Sequence, residues 1–198
     1  ARPSGPLQRL ARWARREPPL ALRLCGFGLF YAVELANYHV FHTIERDWHL
    51  KVSAMIAVWA LVSVALQQVV KHERWETLGI FAWGAADVAA ATSILLIADG
   101  VASPLVVAYP LLIVASGLWL RTGFVTVTTA ACVASYLVLV ADFYFRRVEL
   151  QTGFDRDADR HVFFMLGLLL TWAAVRYQVS RARALSRPAG HSSRPGRC

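Results

Sequence analysis

Apolar residues along this chain fall into six long blocks that are separated by short polar links. The blocks cover residues 22–43, 52–70, 77–98, 102–120, 124–145 and 161–179. A helix of about twenty residues crosses a hydrocarbon core of roughly 30 Å, and such a core has no water to satisfy open backbone groups. The pattern therefore predicts an all-α polytopic membrane protein with six transmembrane helices in a bundle.

The links between the blocks divide the chain into three regions. We predict a basic cytoplasmic N-terminal segment over residues 1–20, a six-helix transmembrane domain over 21–180, and a basic tail over 181–198. The tail is rich in Ser, Pro, Gly and Arg, which predicts disorder. An even number of spans places both termini on one side, and that side carries fifteen of the 21 Lys and Arg residues. Because positive residues mark the cytoplasmic side, both termini are predicted to be cytoplasmic.

Composition narrows the partners that this chain can have. Apolar residues make up 57% of the 198 residues, charged residues only 17%, and the mean hydropathy is +0.43. These values are typical of a protein that lies in lipid. The net charge of +8 comes from basic residues that cluster beside the apolar blocks, where they meet anionic head groups. The predicted partner is the lipid bilayer, and a nucleic acid is not expected.

Two acidic residues lie within the predicted spans. Glu34 falls near the middle of the first block and Asp87 near the middle of the third, where an ionised carboxylate costs at least ~2.5–3.5 kcal/mol. Tyr31, Asn37 and Tyr38 share the helical face of Glu34 and can hydrogen-bond to it. One hypothesis is a ligand pocket or proton-sensitive switch formed by Glu34, Tyr38 and Asp87. The alternative is that two protonated acids hold neighbouring helices together by hydrogen bonds.

Histidines follow the first block near the predicted outer surface. His39 and His42 are three residues apart and would share one helical face, with Glu45 a further turn on. A metal shell could be completed at the same level by His49, Asp142 or His161. Imidazole suits zinc and copper, and two histidines from different helices suit haem. Histidines at a membrane boundary are also common without any ligand. The sequence requires no cofactor, but it leaves zinc, copper and haem open.

The chain carries no motif of a known catalytic site. It has no GxSxG, HExxH, Walker lysine loop or Gly-rich dinucleotide turn, and its three cysteines are far apart. No catalytic residue is therefore predicted.

Several segments resemble a known family. "RWARREPPLALRL", "ELANYHVFH", "HERWETLGIFAWGAADV", "LLIADGVASPLVVAYPLLIVASGLWLR" and "DRHVFFMLGLLLTWAAVRYQVSRARALSR" are similar to the membrane-embedded region of planctomycete-type bacterial serine/threonine kinases. The similarity covers residues 12–187. It implies a multi-pass protein of the bacterial inner membrane that works as the sensor or anchor of a signalling protein, with a kinase as a partner. Every kinase motif is missing from this chain, so no phosphoryl-transfer residue can be assigned. The resemblance implies a detached sensor or anchor module, which is either a stand-alone relative or the membrane portion of a longer product.

Three classes of function stay open at this point. The first is a non-catalytic sensor or anchor module that relays ligand or membrane state through the sixth helix. The second is a structural accessory subunit of a larger integral membrane complex. The third is a small transporter or a haem- or metal-binding membrane protein.

Overall fold

A computed structural model of the chain describes residues 17–42, 45–146 and 158–186, together with positions 5, 8, 12, 14 and 15. Within these residues every regular element is a helix, and there is no strand. The chain divides into two compact units, Ala1–Asp99 and Gly100–Cys198. The sequence analysis predicted one transmembrane domain over residues 21–180 and did not anticipate a division into two units.

The first unit contains three long helices: α1 (Pro18–His39), α2 (Arg46–Val70) and α3 (Glu76–Ile97). Two prolines open α1, where the first amide groups need no intrahelical acceptor. A tight turn joins α2 to α3. A Cβ atom added to Gly79 would lie 2.9 Å from Cγ2 of Val70, so glycine allows the start of α3 to pass close to the end of α2.

The second unit begins with 3-10 helix and continues into α-helix. Its elements in chain order are 3-10 turns at Gly100–Ala102 and Pro104–Val107, α4 (Ala108–Ser116), a 3-10 turn at Gly117–Trp119, α5 (Thr122–Arg146) and α6 (Ala158–Ser186). Pro110 lies in the first turn of α4, where it removes no α-helical hydrogen bond. Leu120 ends the fourth apolar block with a left-handed backbone (φ 52°), and its amide donates to the carbonyl of Gly117.

Among the described residues, five helices are long and apolar enough to cross a membrane. They cover Leu20–His39, Arg46–Val70, Glu76–Ile97, Thr122–Arg146 and Asp159–Ser186. The prediction of a helical membrane protein with several spans is confirmed to that extent. The fourth apolar block forms a shorter apolar helix, Pro104–Trp119.

The helix ends differ from the predicted ones in ways that matter for the site. The first helix begins at Pro18 and ends at His39, four residues earlier than predicted at each end. Glu34 consequently lies about 7.5 Å from the end of α1, not at its middle. Asp87 does lie at the middle of α3, eleven residues after Glu76 and ten before Ile97. The tail predicted to be disordered from residue 181 is helical as far as Ser186, and residues 187–198 lie outside the described part.

Candidate functional site

Polar side chains form pairs between α1 and α2, which run antiparallel to each other. Glu17 at the start of α1 reaches Lys71 at the end of α2, whereas Glu34 near the end of α1 reaches His49 near the start of α2. Together with the contacts of Asp87, these pairs form three polar clusters in the first unit. They are the Glu17 cluster (Glu17, Gln67, Lys71), the Asp87 cluster (Arg23, Trp59, Trp83, Asp87) and the Glu34 cluster (Glu34, Tyr38, His49).

The Asp87 cluster ties together the three long helices described above for the first unit. Asp87 of α3 forms an ion pair with Arg23 of α1, and it accepts a hydrogen bond of 2.8 Å from the indole Nε1 of Trp59 on α2. The Arg23 guanidinium lies 4.5 Å from the ring centre of Trp83. Asp87 is 5% exposed and Trp83 is 2% exposed. A carboxylate in such surroundings is stabilised by its cation and by the indole donor, so Asp87 meets the condition for a charged group within a membrane protein.

Phe27 flanks this cluster one helical turn after Arg23. Its ring centre lies 4.7 Å from that of Trp59, at an interplanar angle of 49°. Two tryptophans thus contact the ion pair directly, and Phe27 packs against one of them. Low exposure of the carboxylate strengthens the electrostatic attraction between the two charges.

The Glu34 cluster joins α1 to α2 nearer the other end of α1. Nδ1 of His49 lies 2.8 Å from Oε1 and 2.7 Å from Oε2 of Glu34. The imidazole stacks on the ring of Tyr38 with 4.3 Å between centres and an angle of 5°. Glu34 is buried, at 3% exposed. The partner of this acid is thus an imidazole from the next helix, and the tyrosine supports that imidazole by stacking.

The Glu17 cluster closes the opposite end of the α1–α2 pair. Oε1 of Glu17 lies 2.5 Å from Nζ of Lys71, and its Oε2 accepts a hydrogen bond of 3.0 Å from the Gln67 amide. The Lys71 side chain is about half exposed. An ion pair of this exposure adds little stability.

The two acids predicted to share a pocket belong to separate clusters. Arg23, the partner of Asp87, precedes Glu34 by eleven residues on α1, which corresponds to about 16 Å along the helix axis. No hydrogen bond or ion pair in the described part of the chain joins Glu34 to Asp87. The structure brings Glu34 and Tyr38 together through His49, and it places Asp87 with Arg23 and two tryptophans.

The histidines considered for a metal are arranged differently from the expectation. Because α1 ends at His39 and His42 has a left-handed backbone (φ 50°), these two residues do not share a helical face. His39 and His42 are both exposed, and the ring centre of His39 lies 6.4 Å from that of His49. His161 belongs to α6 in the second unit, where its Nδ1 lies 2.8 Å from the hydroxyl of Tyr136.

No group of three or more His, Cys, Asp or Glu side chains within the described residues is placed to hold a metal ion. The described residues therefore provide no further support for the zinc or copper site suggested by the sequence, and that site stays a prediction.

Comparisons of this chain with protein-family models, with curated proteins and with solved structures find no match. The resemblance to kinase-associated membrane regions therefore depends on the sequence segments quoted above.

Proposed function

We propose that this chain is a non-catalytic membrane module of a bacterial signalling protein, which anchors a cytoplasmic partner and relays changes in helix packing through α6. The observation that carries this proposal is the length of α6. Its 29 residues correspond to about 43 Å, which exceeds a hydrocarbon core of roughly 30 Å. The excess forms a helical extension that includes Arg181 and Arg183, both exposed.

A continuous helix that leaves the membrane is a suitable mechanical link. A shift or rotation of its apolar part moves its basic end by a similar amount, because the backbone hydrogen bonds leave no hinge between them. Input would come from the first unit, where the Asp87 and Glu34 clusters hold three helices through polar contacts that a ligand can compete for.

The proposed topology has six spans, both termini in the cytoplasm, and a location in the bacterial inner membrane. The fourth span is the short apolar helix Pro104–Trp119. Seven of its residues are in 3-10 helix, which rises faster than α-helix, so its length is about 27 Å and close to that of a hydrocarbon core. Six spans also agree with the excess of Lys and Arg on the side of both termini.

The partner proposed for the basic end of α6 is a protein kinase. The support is the resemblance of residues 12–187 to the membrane regions of planctomycete-type kinases, together with the absence of kinase motifs from this chain. In the family that this chain resembles, the membrane region accompanies a cytoplasmic kinase domain, which is the kind of partner proposed here.

Site-specific photo-crosslinking in bacterial cells that express the full chain tests this function. A photoreactive amino acid replaces exposed Arg183 at the basic end of α6, and the control replaces exposed Phe163 near the opposite end. We expect the Arg183 position to capture a protein with a kinase domain and the Phe163 position to capture none. Capture of the same integral membrane subunit from both positions would contradict the proposal.

The topology has a separate test in the cysteine of the tail. In a Cys25→Ala variant, we expect a membrane-impermeant maleimide to label Cys198 only after the cells are opened. Labelling of Cys198 in intact cells would place the tail outside and would exclude a cytoplasmic partner for it.

A second candidate function, a structural accessory subunit, is favoured by open glycine positions on two helices. A Cβ atom added to Gly26 or Gly28 of α1, or to Gly167 of α6, would meet no other atom within 4 Å. Such positions allow close approach of a helix from another protein. This function predicts that a membrane partner co-purifies in a fixed ratio and that Gly167→Leu abolishes the association.

A further inference from the structure

The Asp87 cluster has the chemical make-up of a binding site for an organic cation. It presents a buried carboxylate, the face of the Trp83 ring and the indole donor of Trp59 to a single cationic group. A carboxylate with aromatic faces is the combination that proteins use to recognise guanidinium and ammonium groups. In this chain the cationic group is the side chain of Arg23.

The cluster requires a cation for its own stability. Asp87 lies at the middle of α3 and is 5% exposed, and a single indole hydrogen bond does not compensate an ionised carboxylate in apolar surroundings. When the Arg23 side chain moves out of the cluster, another cation of similar shape can bind to the Asp87 carboxylate in its place.

Arg23 is the member of the cluster that is able to leave. It lies five residues after the first residue of α1, about 7.5 Å along the axis, so its long side chain can extend to the membrane interface. Its side chain is 19% exposed, compared with 7% for that of Asp87. Its Nη1 atom is buried and has no hydrogen-bond partner among the described residues, so the seated position leaves donors unused that the interface would satisfy.

We propose that the Asp87 cluster is a binding site for guanidinium-type or small organic ammonium ligands, and that Arg23 is a built-in occupant which such a ligand displaces. Displacement would release α1 from α3 while the site stays neutralised. This proposal rests on the proposed function, because it names the class of ligand that the sensor module would detect.

The test measures binding to the purified full chain, without any partner protein. Arg23→Ala empties the site, and the probe is guanidinium chloride at concentrations far below denaturing ones, compared with sodium chloride at the same ionic strength. We expect guanidinium to raise the unfolding temperature of Arg23→Ala and to leave that of the Arg23→Ala/Asp87→Asn double variant unchanged. The wild-type chain should bind guanidinium at least about tenfold more weakly than Arg23→Ala does. The reason is that the tethered Arg23 side chain competes for the site at a high effective concentration.

A matched control is available in the second unit. Arg176 also lies over an indole ring, 5.2 Å from the centre of Trp172, but it is exposed and at the end of a span. Guanidinium should not stabilise Arg176→Ala. An equal response of Arg176→Ala, or of the double variant, would overturn the cation site.

Arg23→Ala is also purified with and without guanidinium throughout, in case the empty site prevents folding. Recovery of folded protein only with guanidinium supports the proposal, and failure in both preparations overturns it. A negative result in these experiments leaves the crosslinking of α6 to its partner unaffected, and a failed crosslink leaves the cation site intact. The two proposals therefore fail separately.

Discussion

The two units of this protein hold their buried polar groups in different ways. In the first unit, ionisable side chains from different helices meet directly, as in the ion pair Arg23–Asp87 and the contact Glu34–His49. Among the described residues of the second unit, the buried polar groups are neutral, and the ion pair Asp142–Arg146 lies within one helix with an exposed arginine. Ser116 and Thr129 donate to carbonyls of their own helices, and Tyr136 hydrogen-bonds to His161.

This difference indicates which unit is adapted for change. A hydroxyl that donates within its own helix is satisfied whether or not a neighbouring helix moves. A buried ion pair between helices is broken by such a movement, and both charges then need new partners. The first unit therefore has a small number of discrete polar contacts that an input can switch, whereas the second unit is suited to a constant packing.

The largest expected effect comes from the central ion pair. Asp87→Leu leaves the Arg23 guanidinium without its carboxylate, and we expect the free energy of unfolding to fall by about 3 kcal/mol. This is the lower end of the range for removing one partner of a buried pair, because the partly exposed Arg23 can extend towards the interface. Reversible unfolding in mixed micelles, followed by circular dichroism, measures this change.

The control for that variant removes both charges. In Arg23→Met/Asp87→Leu no charge is left unpaired, so most of the lost stability should return. A double variant that is as unstable as Asp87→Leu would show that the cluster matters by its shape rather than by its charge, and the contrast between the two units would lose its basis.

A smaller effect is expected at the other acid of the first unit. Glu34→Ala removes the carboxylate that both short contacts of His49 use, and hydrogen bonds to charged groups contribute about 1.5–3 kcal/mol. The same unfolding measurement applies. Val33→Ala, at an exposed neighbouring position of α1, serves as the control and should change stability little. Equal losses for the two variants would argue against a specific role of the Glu34–His49 contact.

The sequence predicted the helices well because their signal is local. Block length and apolar content depend on consecutive residues, so all six blocks became helices, with ends shifted by a few residues. The first helix ends at His39 and not, as predicted, at residue 43. The residues Asn37, Tyr38 and His39 each have apolar and polar parts, so they are compatible with either the interior or the end of a helix. The earlier end moved Glu34 from the predicted middle of its span towards the end of α1.

The partners of the two acids were beyond the sequence because they lie on other helices. Nothing local connects Asp87 with Arg23, which are 64 positions apart, or Glu34 with His49. One signal was present: Arg23 is a basic residue inside the first apolar block, and a charge in such a position calls for an opposite charge on another span. No local feature of the sequence indicates which tryptophans complete the cluster.

In the second unit the sharpest expected effect is steric. A Cβ atom at Gly117 would lie 2.7 Å from Cγ1 of Val175, a β-branched side chain that has little freedom in a helix. We expect Gly117→Ala to lower the free energy of unfolding by about 1–3 kcal/mol through overpacking. Val175→Ala in the same chain should relieve it.

Gly167→Ala is the matched control for this prediction, since a Cβ atom there meets nothing within 4 Å. It should leave stability unchanged or raise it by about 0.5–1 kcal/mol, because alanine restricts the unfolded chain more than glycine does. If Gly117→Ala were equally harmless, the close approach of the 3-10 turn Gly117–Trp119 to α6 would not be a constraint on the second unit.

The smallest expected effect concerns the neutral hydrogen bond of the second unit. Tyr136→Phe removes the hydroxyl that contacts His161 but keeps the ring, whose centre lies 4.5 Å from that of Phe164. Hydrogen bonds between helices in membrane proteins contribute about 0.6 kcal/mol on average, so the loss should be several times smaller than that of Asp87→Leu. Tyr177→Phe, at an exposed position of α6, provides the baseline for losing a tyrosine hydroxyl. A loss at Tyr136 as large as that at Asp87 would mean that the second unit also depends on a single polar contact, and the switchable part of the protein would then have to be sought in both units.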